Sequence, residues 1–355
     1  HPARYRRDDA APVVEATLTA TGGRSADGSL TLARSDWAFG PVPDLTVAWR
    51  PRDGGEIERI RPFETRQGDR VRVRVAGGGL VGERFAMVGA MSVRTRSTDG
   101  GPLRLAIPDP VDPRPAPAAI ADSIADAADA FDDGAGRETA TVFVLPSSVR
   151  DGGATFISAD EGWINADARL RTANNVWLHE YVHTRQSFDL GPRMRWFDEA
   201  SAEYFGARLA RDVDLVSRSA FQSYLAGRSR AGGTLADRDS WRDDALPYHR
   251  GARVLSALDR EIRSRTDDAR SLADVFARMN RHRGTVTYAE FARTVSAVVG
   301  EDMRPWLDRY VRDTTPVAVP AGGLTATLED PASMAVGLVG LTALGGATLR
   351  RRPWH

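Results

Sequence analysis

Up to about residue 107, polar and apolar residues alternate with a period of two. Val14-Glu15-Ala16-Thr17-Leu18-Thr19, Leu45-Thr46-Val47-Ala48-Trp49 and Val71-Arg72-Val73-Arg74-Val75 each gather their apolar residues on one face of an extended chain. Gly22-Gly23, Gly54-Gly55 and Gly77-Gly78-Gly79 separate them as turns. Short strands with this punctuation predict a β-sandwich-like domain over 1–107. Arg72 and Arg74 then belong to a solvated strand face. The first dozen residues mix charges without a clear period and are expected to be disordered. Residues 108–117 hold five prolines, Pro108, Pro110, Pro113, Pro115 and Pro117, and form a stiff linker.

Beyond the linker the period lengthens. Ile120, Ile124, Ala128 and Phe131 recur at helical spacing, which predicts a helix over 118–131. Apolar runs at 141–145, 154–158 and 162–165 predict three strands. A helix starts near Asn174, and helical patterns follow at 196–211, 214–226, 246–265, 269–281, 288–298 and 303–312. The fold class is therefore α+β, with a second domain over 118–320 that pairs a small sheet with a mostly helical C-terminal part. After a linker at 321–330, the 19 residues 331–349 carry no charge, close to the roughly 20 that cross a bilayer. Arg350, Arg351 and Arg352 follow at once. The expectation is a single transmembrane segment with a cytoplasmic tail at 350–355 and the catalytic part outside the cell membrane. The chain opens on His1, which fits removal of an N-terminal targeting segment.

Composition narrows the chemistry. Lys+Arg and Asp+Glu both number 48, so bulk electrostatics give no reason to expect nucleic acid as a partner. All the basic residues are Arg. With no Cys there is no disulfide framework, thiolate ligand or thiol nucleophile.

The candidate chemistry sits in the helix near Asn174. His179-Glu180-Tyr181-Val182-His183 reads H-E-x-x-H. Residues four apart lie one turn from each other on a helix, so His179 and His183 can offer two imidazoles to one metal ion. Glu180 lies beside them, placed to take a proton from a metal-bound water. The next helix, Trp196-Phe197-Asp198-Glu199-Ala200-Ser201-Ala202-Glu203-Tyr204, supplies a carboxylate as further ligand, with Glu199 and Glu203 one turn apart.

These two segments resemble the gluzincin metallopeptidases, in particular aminopeptidases of the leukotriene-hydrolase and glycyl-aminopeptidase type and shorter peptidase MA-like domains. That family carries H-E-x-x-H followed by W-x-x-E-G-x-A-x-Y. Trp196, Glu199, Ala202 and Tyr204 match, and Ala200 stands where the family has Gly. The resemblance implies a thermolysin-like catalytic domain, a Zn2+ ion held by His179, His183 and Glu199, and Glu180 as general base. It makes Glu203 the carboxylate that steadies a ligand histidine, while Glu203 remains the competitor for the ligand position. Pro247-Tyr248-His249-Arg250-Gly251-Ala252 resembles the family's P-Y-x-K-G-A, which gives Tyr248 the role of oxyanion donor, with His249 as the other residue able to act there. Before the metal helix, Gly152-Gly153-Ala154-Thr155-Phe156 falls where exopeptidase members have G-x-M-E-N. Gly153 and Thr155 are thus implied to meet substrate, and Thr155 replaces the carboxylate that holds a substrate's amino group. Glu161, on the following turn, is the carboxylate that could take its place.

The function these residues predict is hydrolysis of a peptide or protein substrate by metal-activated water, in an enzyme anchored in the membrane. The alternative is a surface binding protein on a degenerate peptidase scaffold, which the intact H-E-x-x-H disfavours.

Overall fold

The strand Ala140–Leu145 is buried along its whole length. Its sequence, apolar apart from the buried Thr141, suits a central strand covered on both faces rather than an alternating, half-solvated one. In the computed structural model it lies in the middle of a five-stranded sheet. Gly101–Pro108 pairs parallel to it on one side and Glu161–Asn165 parallel on the other. Met91–Thr98 and Gly153–Thr155 run antiparallel at the two edges. The structure describes residues 31–42, 75, 78–134, 139–149, 160–227 and 232–318, and the backbone of strand residues at 3–8, 11–16, 23–24, 30, 47–49, 58–60, 65–66, 69–70 and 153–155.

The chain divides into two compact units, with the boundary between Ala90 and Met91. The sequence pattern places the boundary at 107. Met91–Thr98 and Gly101–Pro108 form a hairpin that joins the sheet of the second unit. An alternating strand looks the same in sequence whichever sheet receives it, because strand pairing is non-local.

In the first unit the main sheet has five strands, with Trp37–Pro41 between Phe85–Gly89 and Leu30–Ala33. Phe39, Phe85 and Met87 are buried there, with the rings of Phe39 and Phe85 stacked at 5.1 Å. Val47–Trp49 pairs with Glu58–Ile60. Most of the expected strand at 71–75 lies outside the described residues. The N-terminal residues form a hairpin, Ala3–Asp8 against Ala11–Ala16, rather than a disordered end. Its register sets Arg4 opposite Glu15 and Tyr5 opposite Val14, a complementarity visible only once the two segments face each other.

In the second unit, helix α1 (Pro117–Asp129) crosses between the parallel strands and buries Ile120, Ile124 and Ala128 as its periodicity predicts. The helices α2 (Val176–Thr184), α3 (Arg195–Asp212), α4 (Arg218–Gly227), α5 (Ala252–Arg265), α6 (Leu272–Asn280) and α7 (Tyr288–Val299) complete it. Phe131, Phe188, Phe197, Phe205 and Phe276 meet in one aromatic cluster, with Phe131 and Phe205 at 4.8 Å and Phe205 and Phe276 at 5.3 Å. Truncating such a ring to Ala typically costs about 3–5 kcal/mol. The cluster fixes α3 against α6, and so fixes the helix that carries Glu199.

The segment 331–349, expected to cross a membrane, lies outside the described residues. Among the described residues no helix is long and apolar enough to cross a membrane.

Candidate metal centre and active site

Helix α2 starts at Asn175. Its side-chain oxygen accepts from the Leu178 amide at 3.1 Å, and its Nδ2 donates to the Leu170 carbonyl at 2.6 Å. A cap of this kind is worth about 1 kcal/mol and sets the register of the turn that follows. His179 and His183 lie one turn apart on the face toward α3. On α3, Glu199 and Glu203 are likewise one turn apart. The pairing is crossed, His179 with Glu203 and His183 with Glu199, so the two helices run antiparallel. The next turn of α3 carries Gly206, where a Cβ would come within 3.0 Å of the His179 backbone nitrogen. That glycine lets the two helices close on each other.

Three donor atoms converge between them. The Nε2 atoms of His179 and His183 are 3.1 Å apart. Glu199 Oε2 is 3.4 Å from the first and 3.2 Å from the second. A zinc ion with ligands at about 2.0–2.1 Å in tetrahedral geometry has donor–donor edges of about 3.3 Å. The triangle therefore has the size of one face of such a tetrahedron. Two imidazoles and one carboxylate are also the donor set of catalytic zinc sites, in which the fourth position stays open. The residues present fit the metal.

The outer imidazole nitrogens are tied down differently. His179 Nδ1 faces Glu203 Oε2 at 3.2 Å. Glu203 in turn accepts a short hydrogen bond from the Tyr224 hydroxyl of α4. His183 Nδ1 meets Gln186 Oε1 at 2.8 Å, whereas Asp198 Oδ1 stands off at 3.6 Å. Gln186 can take only one orientation. Its other terminal atom lies 2.8 Å from the Asp198 carbonyl, which can only accept, so that atom is the amide nitrogen. The oxygen therefore faces His183, His183 Nδ1 carries a hydrogen, and Nε2 is the nitrogen left to face the donor triangle. Gln186 was not singled out in the sequence. It follows the end of α2, and its role depends on the chain turning back under the helix.

Electrostatics reinforce the cluster. Burial opposes protonation of His179, but Glu199 and Glu203 outweigh it and hold its pKa up at about 9. Burial also opposes charge on His183, and Glu199 with Asp198 prevails again and raises it well above the ordinary value. Burial alone would raise Glu199, yet the two imidazoles drive it below the ordinary carboxylate range. Imidazolium protons thus occupy the place of positive charge that a metal ion would take, and binding one would release them.

Glu180 is buried on α2 next to this triangle. Tyr248 lies across from it on a π-helical turn, Pro247–Gly251, that precedes α5. The sequence predicted one continuous helix over 246–265, and the π turn is the departure. The Tyr248 ring stacks on His179 with centroids 5.8 Å apart and planes 8° from parallel, which brings it near the Glu199 carboxylate. Burial and this carboxylate raise the phenol pKa well above its usual value, so it remains a donor. A Cβ at Gly251 would lie 2.5 Å from the Cβ of Ala200, so the missing side chain there makes room for Ala200. Arg250 anchors the turn from behind by donating to the carbonyls of Tyr310 at 3.1 Å, Thr315 at 3.5 Å and, in a short contact, Asp313. Arg253 and Arg260 continue the row to Val317 and Ala318.

Gly153 and Thr155 lie on the edge strand, opposite Ile164 and Gly162 of its neighbour. That strand packs against α2. Glu161 is buried at the start of the neighbouring strand.

The fold resembles that of M1 zinc metallopeptidases of known structure. A mutant M1 zinc metallopeptidase from Deinococcus radiodurans, bound to a Tyr-Ser-Ala substrate, matches with a TM-score of 0.52 at 17% identity, over 80% of this chain and 63% of its own. An aminopeptidase N family protein from Idiomarina loihiensis matches at 0.49 and 14% identity, over 66% of this chain and 49% of its own. The chain thus spans about half to two thirds of these structures. No family model and no curated protein matches it.

Proposed function

We propose that this chain is a zinc-dependent peptidase, with His179, His183 and Glu199 as ligands and Glu203 and Gln186 as their outer partners. The observation that carries the reading is the donor triangle with edges of 3.1, 3.2 and 3.4 Å beside a buried Glu180. Bound zinc supplies Lewis acidity and lowers the pKa of water to about 7. Glu180 accepts the proton of the attacking water and hands it to the leaving amine nitrogen. The Tyr248 hydroxyl donates to the oxygen of the scissile carbonyl as negative charge develops there. The edge strand at Gly153–Thr155 orients the substrate backbone. Thr155 cannot pair with an ammonium group as a carboxylate does, which favours cleavage that does not require a free amino terminus. Membrane anchorage by 331–349, with the catalytic part outside, belongs to the same proposal. It is supported by the uncharged run and the arginines after it.

Digestion of a peptide library, with half its members acetylated at the N-terminus and read by mass spectrometry with and without chelator, tests the reading. Cleavage of both halves that stops on chelation is expected. A zinc-loaded protein that cleaves nothing would favour the surface binding protein. Recovery of the intact full-length chain from the soluble fraction without detergent would remove the anchor.

A further inference from the structure

A second concavity, of about 490 Å³, lies between α3, α4 and α5. None of the residues assigned to the metal centre lines it. Phe221, Leu225 and Ser256 are buried in its floor. Five arginines line it: Arg208, Arg211, Arg218, Arg260 and Arg263.

Their charges are not balanced. Asp259 and Asp268 also line the cavity, and Asp212 reaches Arg208 at 3.3 Å and Arg211 in a short contact, so five cations against three carboxylates leave a surplus of two. The carboxylates are already engaged. Asp259 accepts from the Tyr204 hydroxyl at 2.7 Å, the Leu272 amide at 2.7 Å and Arg263 Nε at 3.1 Å. Arg263 also faces Asp268 at 3.6 Å. Arg211 lies over the Phe221 ring at 5.0 Å. The surplus falls on the rim. Arg260 donates to the neutral Ala318 carbonyl at 2.6 Å and makes no ion pair among the described residues, Asp259 and Glu261 acting on it only from a distance. Arg218 has no carboxylate partner among the described residues.

Two guanidinium groups without an ion-pair partner among the described residues, over a part-apolar floor, select a ligand with an oxyanion at one end and an apolar body at the other. Guanidinium forks match the oxygens of phosphate. The volume falls in the range of small-molecule pockets, about 300–1,000 Å³, and is larger than a bare phosphate requires. We propose that this cavity is a binding site for a small organic phosphate monoester, whose phosphate sits between Arg218 and Arg260 and whose body covers Phe221 and Leu225. The proposal is independent of the peptidase reading.

Calorimetric titration of the full chain with phenyl phosphate, inorganic phosphate and benzoate tests it. Running each titration with and without chelator removes any contribution from phosphate meeting bound metal. Phenyl phosphate should bind saturably in both conditions, more tightly than inorganic phosphate and more tightly than benzoate. The double variant Arg218→Gln/Arg260→Gln alters two exposed side chains and should weaken phenyl phosphate at least about tenfold. No saturable binding in the chelated wild type, benzoate binding as tightly as phenyl phosphate, or unchanged affinity in the double variant would each overturn the site.

Discussion

The two sides of the candidate active site are built on different kinds of support. His179, Glu180 and His183 stand on an α-helix, and Glu199 on another, with Gly206 admitting the close approach and an aromatic cluster fixing the second helix. Tyr248 stands on a π-helical turn held by the fit of Gly251 on Ala200 and by the contacts of Arg250 with three carbonyls. Metal ligands must keep their geometry within a few tenths of an ångström, which packed helices provide. An oxyanion donor must exchange one partner for another during turnover. Tyr248 lies near enough to Glu199 for that carboxylate to raise its pKa, so in the proposed reaction its hydroxyl would turn toward the substrate oxygen by a small movement. The difference teaches that rigidity is placed where coordination needs it, and a less regular backbone where a bond must be swapped.

The strongest way to test the helical side is Glu180→Gln. It retains size and metal ligation and removes the base, so turnover should fall by about 100 to 10,000-fold while zinc stays bound by elemental analysis. If zinc leaves with activity, Glu180 serves the metal and not the proton. On the turn side, Tyr248→Phe should lower kcat by about 100 to 1,000-fold with little change in KM. A loss confined to KM would mean that Tyr248 holds the substrate in its ground state.

The outer contacts come next. Glu203→Ala and Gln186→Ala should each weaken zinc by about 10–100-fold in competition with a chelator. Gln186→Glu should not recover affinity, since its second oxygen would face the Asp198 carbonyl to which the amide nitrogen now donates. If Glu203→Ala empties the site while Glu199→Ala does not, the two carboxylates exchange roles. The smallest effect probes the fit between the two sides. Gly251→Ala places a methyl group 2.5 Å from the Ala200 Cβ and should cost about 1–3 kcal/mol in thermal denaturation. Ala200→Gly in the same chain should restore most of it. Additive losses in the double variant would show that the two residues do not share the contact.

The legible part of the site is the part written locally. H-E-x-x-H fixes two imidazoles by helical spacing alone, and Glu199 with Glu203 repeats that spacing on the next helix. The parts that were not legible depend on partners distant in sequence. Met91–Thr98 reads as a strand but does not announce its sheet. Gln186 acquires its role only when Asp198 and Ser201 engage its amide nitrogen. The π turn at Pro247–Gly251 hides inside a pattern that continues as a regular helix.

The row of arginines behind that turn has a mechanical consequence. The carbonyls of Asp313, Thr315 and Val317 are spaced by two, so in an extended segment they face one side, where Arg250 and Arg253 meet them. Arg260 takes the carbonyl of the next residue, Ala318. Tension applied to the chain beyond Ala318 would strain these bonds in sequence, Arg260 first, then Arg253, and Arg250 last. Arg250 is two residues from Tyr248. The fastening therefore works as a strain relief, keeping a tug on the C-terminal side away from the tyrosine until the outer attachments have given way.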